Sequence, residues 1–308
     1  MRKRIGLISA IAFAVIACTN ALASFSDDKA AASALRAQEL LAQARAALGG
    51  EAKIKAVQSL SASGKLRQVM RSNDADDQIE GEIELNFLLP DKYMRTDMTP
   101  LPVGDGEMKR ISGINGDQVF RDAHATGGGM VMIRPMSDDP KARAGQLRMM
   151  REELARHLLV WLLTSPANFP VEFSYAGEAE SKDGKADALD IKGPEGFNAR
   201  LFLDKQTHIP LMLSYRAPQP RAAMITRSVQ GSHEDLEAHK KEAQEQAEKQ
   251  AASPELSEVQ VYFSDYRAED GILLPHRITR SVNGDFSEEW DLNKFKINPP
   301  LKAESFKK

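Results

Sequence analysis

The sequence predicts an α+β or curled-β protein in which one antiparallel sheet carries its helices on one side. Three observations lead there. Apolar and polar residues alternate with period two through most of the chain, which marks strands with one wet face. Only two stretches, 27–48 and 141–165, repeat apolar residues at helical spacing in a way that anchors them to a core. Strands and helices do not take turns along the chain, so the crossover connections that parallel sheets need are missing.

Residues 1–23 read as an export signal. Arg2, Lys3 and Arg4 precede the apolar run 5–17, and Ala21-Leu22-Ala23 has the small-x-small form of a signal-peptidase site. Val15-Ile16-Ala17-Cys18 also has the form of a lipobox, in which Cys18 would become an acylated first residue. Both readings stay open: the first gives a periplasmic protein, the second an outer-membrane lipoprotein anchored through Cys18. Loss of 1–23 turns 41 Lys+Arg against 44 Asp+Glu into 38 against 44, a mildly acidic chain. Residues 24–308 are expected to form a single domain, and no later run is long and apolar enough to predict a membrane-spanning helix.

The helix over 27–48 rests on Leu35, Leu40, Leu41, Ala44 and Leu48, with Gly49-Gly50 as its stop. A strand follows at 59–70, with Leu60, Ala62, Gly64 and Leu66 on one face. The strand at 78–89 sets Ile79, Gly81, Ile83, Leu85, Phe87 and Leu89 against Glu80, Glu82, Glu84 and Asn86. Residues 93–98 continue the meander, and 110–121 reads as a hairpin turning at Asn115-Gly116. Gly127-Gly128-Gly129 then opens a loop toward Met130, Met132 and Met136. Half of the 12 methionines fall between Met108 and Met150. The helix over 141–165 carries Leu147, Met150, Leu154, Leu158 and Trp161 as a stripe and is stopped by Pro166. Its end, 158–163, is apolar all round, so it must be core, lie against lipid or plug a cavity. Strands resume at 171–176, 186–192, 197–204 and 209–216. Residues 217–257 interrupt them with a charged insertion whose helix over 232–252 reads as a solvated excursion. Three strands close the chain at 258–267, 272–282 and 286–296, turning at Asp270-Gly271 and Asn283-Gly284. The total is about ten or eleven strands.

Composition excludes several classes of function. A single cysteine rules out a disulfide framework. The near-balanced charge and the lack of a Lys/Arg run after the N-terminus argue against nucleic acid as a partner. The sequence holds no Gly-x-Ser-x-Gly, His-Glu-x-x-His or Gly-x-Gly-x-x-Gly, its six histidines lack zinc-ligand spacing, and no metal or cofactor is expected. Glu288, Glu289 and Asp291 around Trp290 form the densest acidic cluster. In a strand, Glu288 and Trp290 share one face while Glu289 and Asp291 share the other, which makes a secreted hydrolase the weaker reading.

Several phrases, taken in order, resemble one family. They are Ala47-Leu48-Gly49-Gly50, Leu60-Ser61-Ala62-Ser63-Gly64, Ile114-Asn115-Gly116-Asp117-Gln118-Val119-Phe120, the hairpin from Leu201 to Pro210, Phe263-Ser264-Asp265-Tyr266-Arg267, Gly271-Ile272-Leu273-Leu274-Pro275 and Ile297-Asn298-Pro299-Pro300. This ordered set is similar to the bacterial lipoprotein-localisation superfamily, which includes the LolA and LolB carriers and RseB-type sensors. The resemblance implies an open, incomplete β-barrel of antiparallel strands with helices capping an apolar cavity. It also implies a non-catalytic carrier or binding protein of the cell envelope, with lipid or lipoprotein acyl chains as its partners. An RseB-like sensor, or an anchored scaffold that also meets an inner- or outer-membrane protein, is the alternative. Positions expected to line the cavity are Leu66, Ile83, Leu85, Phe87, Met132, Met150, Leu154, Leu158, Trp161, Leu162, Leu201, Leu203, Leu211, Leu213, Val261, Phe263 and Trp290. Flexible methionines on the 141–165 helix and in the loop before it would suit a movable cover.

Overall fold

The period-two stretches pair into one antiparallel sheet of twelve strands. The computed structural model describes residues 26–71, 76–101, 105–127, 139–181, 184–218 and 256–307. The readings of 1–23, of Cys18, of Met130, Met132 and Met136, and of the helix at 232–252 lie outside them. The strands are β1 (Ser59–Arg71), β2 (Asp76–Leu88), β3 (Lys92–Pro100), β4 (Glu107–Asn115), β5 (Gln118–Ala125), β6 (Glu172–Ser181), β7 (Gly184–Lys192), β8 (Asn198–Asp204), β9 (Pro210–Pro218), β10 (Leu256–Glu269), β11 (Ile272–Val282) and β12 (Asp285–Ile297). The helices are α1 (Ser26–Ala47), the short α2 (Glu51–Lys55) and α3 (Pro140–Trp161). The sequence did not predict α2, a single turn after Gly50.

Two meanders, β1 to β5 and β6 to β12, meet where β1 pairs with β12 from Leu60↔Ile297 to Gln68↔Glu288. The spatial order runs from β5 to β6, and those two strands are the free ends of an unclosed sheet. Leu60, Leu85, Ile114, Leu189, Leu213, Phe263, Ile278 and Leu292, drawn from strands across both meanders, join α1 and α3 in one apolar cluster. A flat sheet cannot bring those strands to one core, so this sheet curls around its helices. The class is α+β, an open curled antiparallel sheet with helices inside the curl.

α3 follows β5 and precedes β6, so it links the two free edges. Asp139 caps its start by accepting from the Lys141 and Ala142 amides, with Pro140 in the first turn. The helix ends at Trp161, four residues before the expected last residue, Ser165. Leu163 takes a left-handed backbone (φ 49) and the Thr164 amide donates to the Leu158 carbonyl, which turns the chain before Pro166 is reached. Arg45 of α1 donates twice to the Leu163 carbonyl, at 2.9 and 3.3 Å, and ties the two helices together.

α1 faces the core with Ala37, Leu40, Leu41, Ala44 and Leu48, whereas Leu35, expected on that face, is 59% exposed. Residues 28–32 of α1 are solvent-exposed, and only from Ala37 does the helix sit in the core. The first hairpin turns at Gly116-Asp117, one residue later than expected, with Asn115 paired to Gln118. The insertion is narrower than expected too. β9 and β10 pair out to Ala217↔Ser257 and Pro218↔Leu256, so those four residues belong to the hairpin.

Candidate functional site

The inner face of the curl is the candidate site. Leu66, Ile83, Leu85, Phe87, Leu201, Leu203, Leu213, Phe263 and Trp290 project inward from strands of both meanders and meet Met150, Leu154, Leu158, Trp161 and Leu162 of the α3 region in the same cluster. Val261 is partly buried against it. Leu211 departs from the expected placement. It is the extra residue where the β8–β9 register slips between Phe202↔Met212 and Leu203↔Pro210, and it packs against an outer-face cluster instead. Met132 lies outside the described residues. Of the adjacent methionines on α3, Met150 is buried and Met149 is 48% exposed. From Leu158 to Leu163 every side chain is buried, so the all-apolar end of α3 lies fully inside the curl.

Set into this apolar face is a polar group that the sequence reading passed over. β3 carries Tyr93, Arg95 and Asp97 on its inner phase, opposite Phe87, Leu85 and Ile83. β12 carries Glu288 and Trp290 on its own inner phase, opposite Arg280 and Ile278 of β11. Arg95 therefore donates to Glu288 at 2.9 Å and to Asp97 at 2.8 Å, and its guanidinium lies 5.1 Å from the Trp290 ring centre. Arg280 donates to Glu288 at 3.3 Å, and Trp290 Nε1 donates to it at 3.1 Å. Burial pushes the Glu288 carboxyl up, but the Arg95 and Arg280 charges and the Arg95 and Trp290 donors outweigh it and hold the group at about 2.

α3 meets this group through Glu153 and His157. The Tyr93 hydroxyl donates to Glu153 Oε1 at 3.0 Å, and His157 Nε2 lies 3.9 Å from the same oxygen. Burial raises the Glu153 carboxyl, yet His157, Arg95 and Tyr93 bring it to about 2. Burial and then the Glu153 charge push the Tyr93 hydroxyl well above its ordinary value. The His157 ring is surrounded by Phe87, Tyr93, Trp161 and Trp290, with ring centres 5.3 to 5.7 Å away.

This arrangement suits binding better than acid–base chemistry. Glu288, one of the three acids of the cluster around Trp290, accepts from three cationic or indole donors and stays ionised at any ordinary pH, so it has no proton to give. Glu289, from the same cluster, points to the other face, as alternation predicts, and accepts there from Arg67 at 2.8 Å. Among the described residues no group of three or more His, Cys, Asp and Glu side chains is placed to hold a metal ion. The outer face carries a groove of about 290 Å³ at the β1–β12 bulge, lined by Ser63, Lys65, Glu82, Glu84, Thr96 and Lys294 among others. That lining is too polar for an acyl chain. The missed signal was a charge at an inward position of an alternating strand: Arg95 between Tyr93 and Asp97.

No protein-family model matches the chain, and no curated protein matches it. Among solved structures it is similar to a putative outer membrane lipoprotein-sorting protein domain from Vibrio parahaemolyticus, with TM-score 0.45 and 9% identity over 89% of this chain and 97% of that one. It is similar to the LolA superfamily protein NE2245 from Nitrosomonas europaea, with TM-score 0.43 and 11% identity over 88% of this chain and 97% of that one. A DUF1329 family protein from Desulfovibrio piger ATCC 29098 gives TM-score 0.45 and 11% identity over 88% and 97%.

Proposed function

We propose that this chain is a non-catalytic binding or carrier protein for lipid or lipoprotein acyl chains in the bacterial cell envelope, exported by residues 1–23. One observation carries the reading. The inner face of the unclosed sheet is apolar across both meanders, and the element spanning its open side, α3, runs at its end into the all-apolar, fully buried stretch from Leu158 to Leu163. Acyl chains need only apolar area, at about 0.8 kcal/mol per CH₂ removed from water. They would occupy the volume that the end of α3 fills, so binding displaces α3 from the inner face. The ordered sequence phrases point to the same function independently of this geometry.

The two tryptophans provide the test. Trp161 and Trp290 are the only ones in the chain and both lie on the inner face. Titration of the purified chain with a lysophospholipid brominated on its acyl chain should quench their emission saturably, and an unbrominated lipid should compete. Native mass spectrometry of the protein isolated from its own envelope fraction should then show co-purifying lipid or lipoprotein. Unquenched tryptophans together with a ligand-free mass would sink the reading.

A further inference from the structure

α3 lays an anionic group followed by an apolar tail along the inner face. Glu153 accepts from the Tyr93 hydroxyl at 3.0 Å and interacts with the charges of Arg95 and Arg280. Behind it come Leu154, Leu158 and the rest of the buried stretch to Leu163. From Glu153 to Trp161 the helix advances about 12 Å, close to the ~15 Å that the acyl chains of one bilayer leaflet span. The helix thus has the polarity and nearly the length of a single-chain lipid with an acid at its head.

The sheet beneath is charged to receive an anion. Its inner phase carries Arg95 and Arg280, with Arg110 opposite Asp97 across β3 and β4, so three cations face the two carboxylates of Asp97 and Glu288. Glu153 brings the group to neutrality, and it belongs to α3, as does His157. Nε of Arg110 and Nε of Arg280 are shut off from water and have no acceptor among the described residues. Buried donors are rarely left so, and here they remain in the group that also holds the Tyr93 hydroxyl. Resting on the carrier reading, in which a bound chain displaces α3, we propose that the ligand is an amphiphile with an anionic oxygen group, a phosphate or a carboxylate, that replaces Glu153 on the Tyr93 hydroxyl between Arg95 and Arg280. Glu153 and the apolar stretch behind it are then an internal stand-in for that ligand. A lipid with an uncharged polar end fills the same apolar volume but leaves a half-buried cation without its counter-charge, which weakens its binding.

Three lipids that share one myristoyl chain test this on the purified protein at pH 7, below micelle formation: lysophosphatidylglycerol, myristate and the uncharged monoglyceride, each displacing the brominated lysophospholipid from the tryptophans. At least one of the two anions should bind at least tenfold more tightly than the monoglyceride. A preference for the phosphate alone points to a phospholipid, and one for the carboxylate alone to a free fatty acid. Binding of all three within tenfold overturns the proposal and leaves the carrier reading standing, whereas failure of all three to bind overturns it through the carrier reading on which it rests. Tyr93→Phe removes one donor to the anion and should cut the preference at least threefold; an undiminished preference places the anion elsewhere and overturns the assignment. Glu153→Gln weakens the stand-in and should tighten all three lipids alike, at least threefold, without changing the preference, and no tightening would show that Glu153 does not compete with the ligand. Should either variant fail to fold, the three lipids on the intact protein decide alone.

Discussion

Glu288 shows how one side chain couples the sheet's interior to pH. Its carboxyl moves from an ordinary value of 4.5 to about 2, worth about 3 kcal/mol of folding free energy. The sign follows from the direction. A depressed carboxyl adds stability above its unfolded value, and that stability is lost as pH falls from about 5 toward 2. Glu288→Gln should therefore cost about 3 kcal/mol at pH 7, because it leaves the partly buried Arg95 and Arg280 facing a neutral amide. The penalty should shrink toward zero near pH 2.5, and urea melts of both proteins at pH 7, 4 and 2.5 would measure it. A penalty independent of pH would mean that side-chain shape rather than charge is what matters. The placement of Glu288 beside Trp290 was legible, since alternation puts both on one face. That this face is the inner one, and that Arg95 and Arg280 meet it there, was not, because the contacts join β3, β11 and β12 across nearly 200 residues.

At the scale of elements, turn chemistry was the most readable part of the chain. Asp270-Gly271 and Asn283-Gly284 both adopt left-handed backbone at both positions, at φ 49 and 78 and at φ 52 and 86, as two-residue hairpins between twisted strands require. Helix ends were less readable, because packing decides them. The break after α1 shows why: Gly49 and Gly50 look alike in sequence, and both have positive φ, at 124 and 101. A Cβ on Gly49 would stand 2.2 Å from the Gly271 carbonyl oxygen, where Leu273 donates back to the Leu48 carbonyl at 2.8 Å, whereas one on Gly50 meets nothing within 4 Å. Gly50→Ala should cost only the backbone strain of a conformation that favours glycine (φ 101, ψ 147), about 1–3 kcal/mol. Gly49→Ala adds a backbone clash that moves α1 off β11, and should cost at least twice as much. Equal urea midpoints for the two variants would show that the α1–β11 approach gives way easily. Leu35 was misplaced for a related reason: helical spacing assigns a face, but not how far along the helix the sheet extends.

For the whole molecule, the decisive feature is the seam between β1 and β12, which no local pattern announces. Every other strand pair joins neighbours in sequence, apart from the wide β9–β10 link, so the sequence could specify two meanders without specifying that they share a sheet. The seam joins Leu60 to Ile297 and Leu66 to Trp290, and the same residues enter the one core that α1 and α3 complete. Neither meander keeps a dry inner face without the other, because α3 packs against both. Residues 24–308 should therefore unfold in a single transition, with far-ultraviolet circular dichroism and tryptophan emission changing together in urea. Residues 24–127 expressed alone should lack the native sheet. Because the seam closes a loop of more than 200 residues, refolding should also be slow, in milliseconds to seconds rather than microseconds. Stopped-flow refolding would measure this. Two separated urea transitions would instead mean that the meanders are independent units, and a ligand held between them would then have to draw together two bodies rather than enter a formed interior.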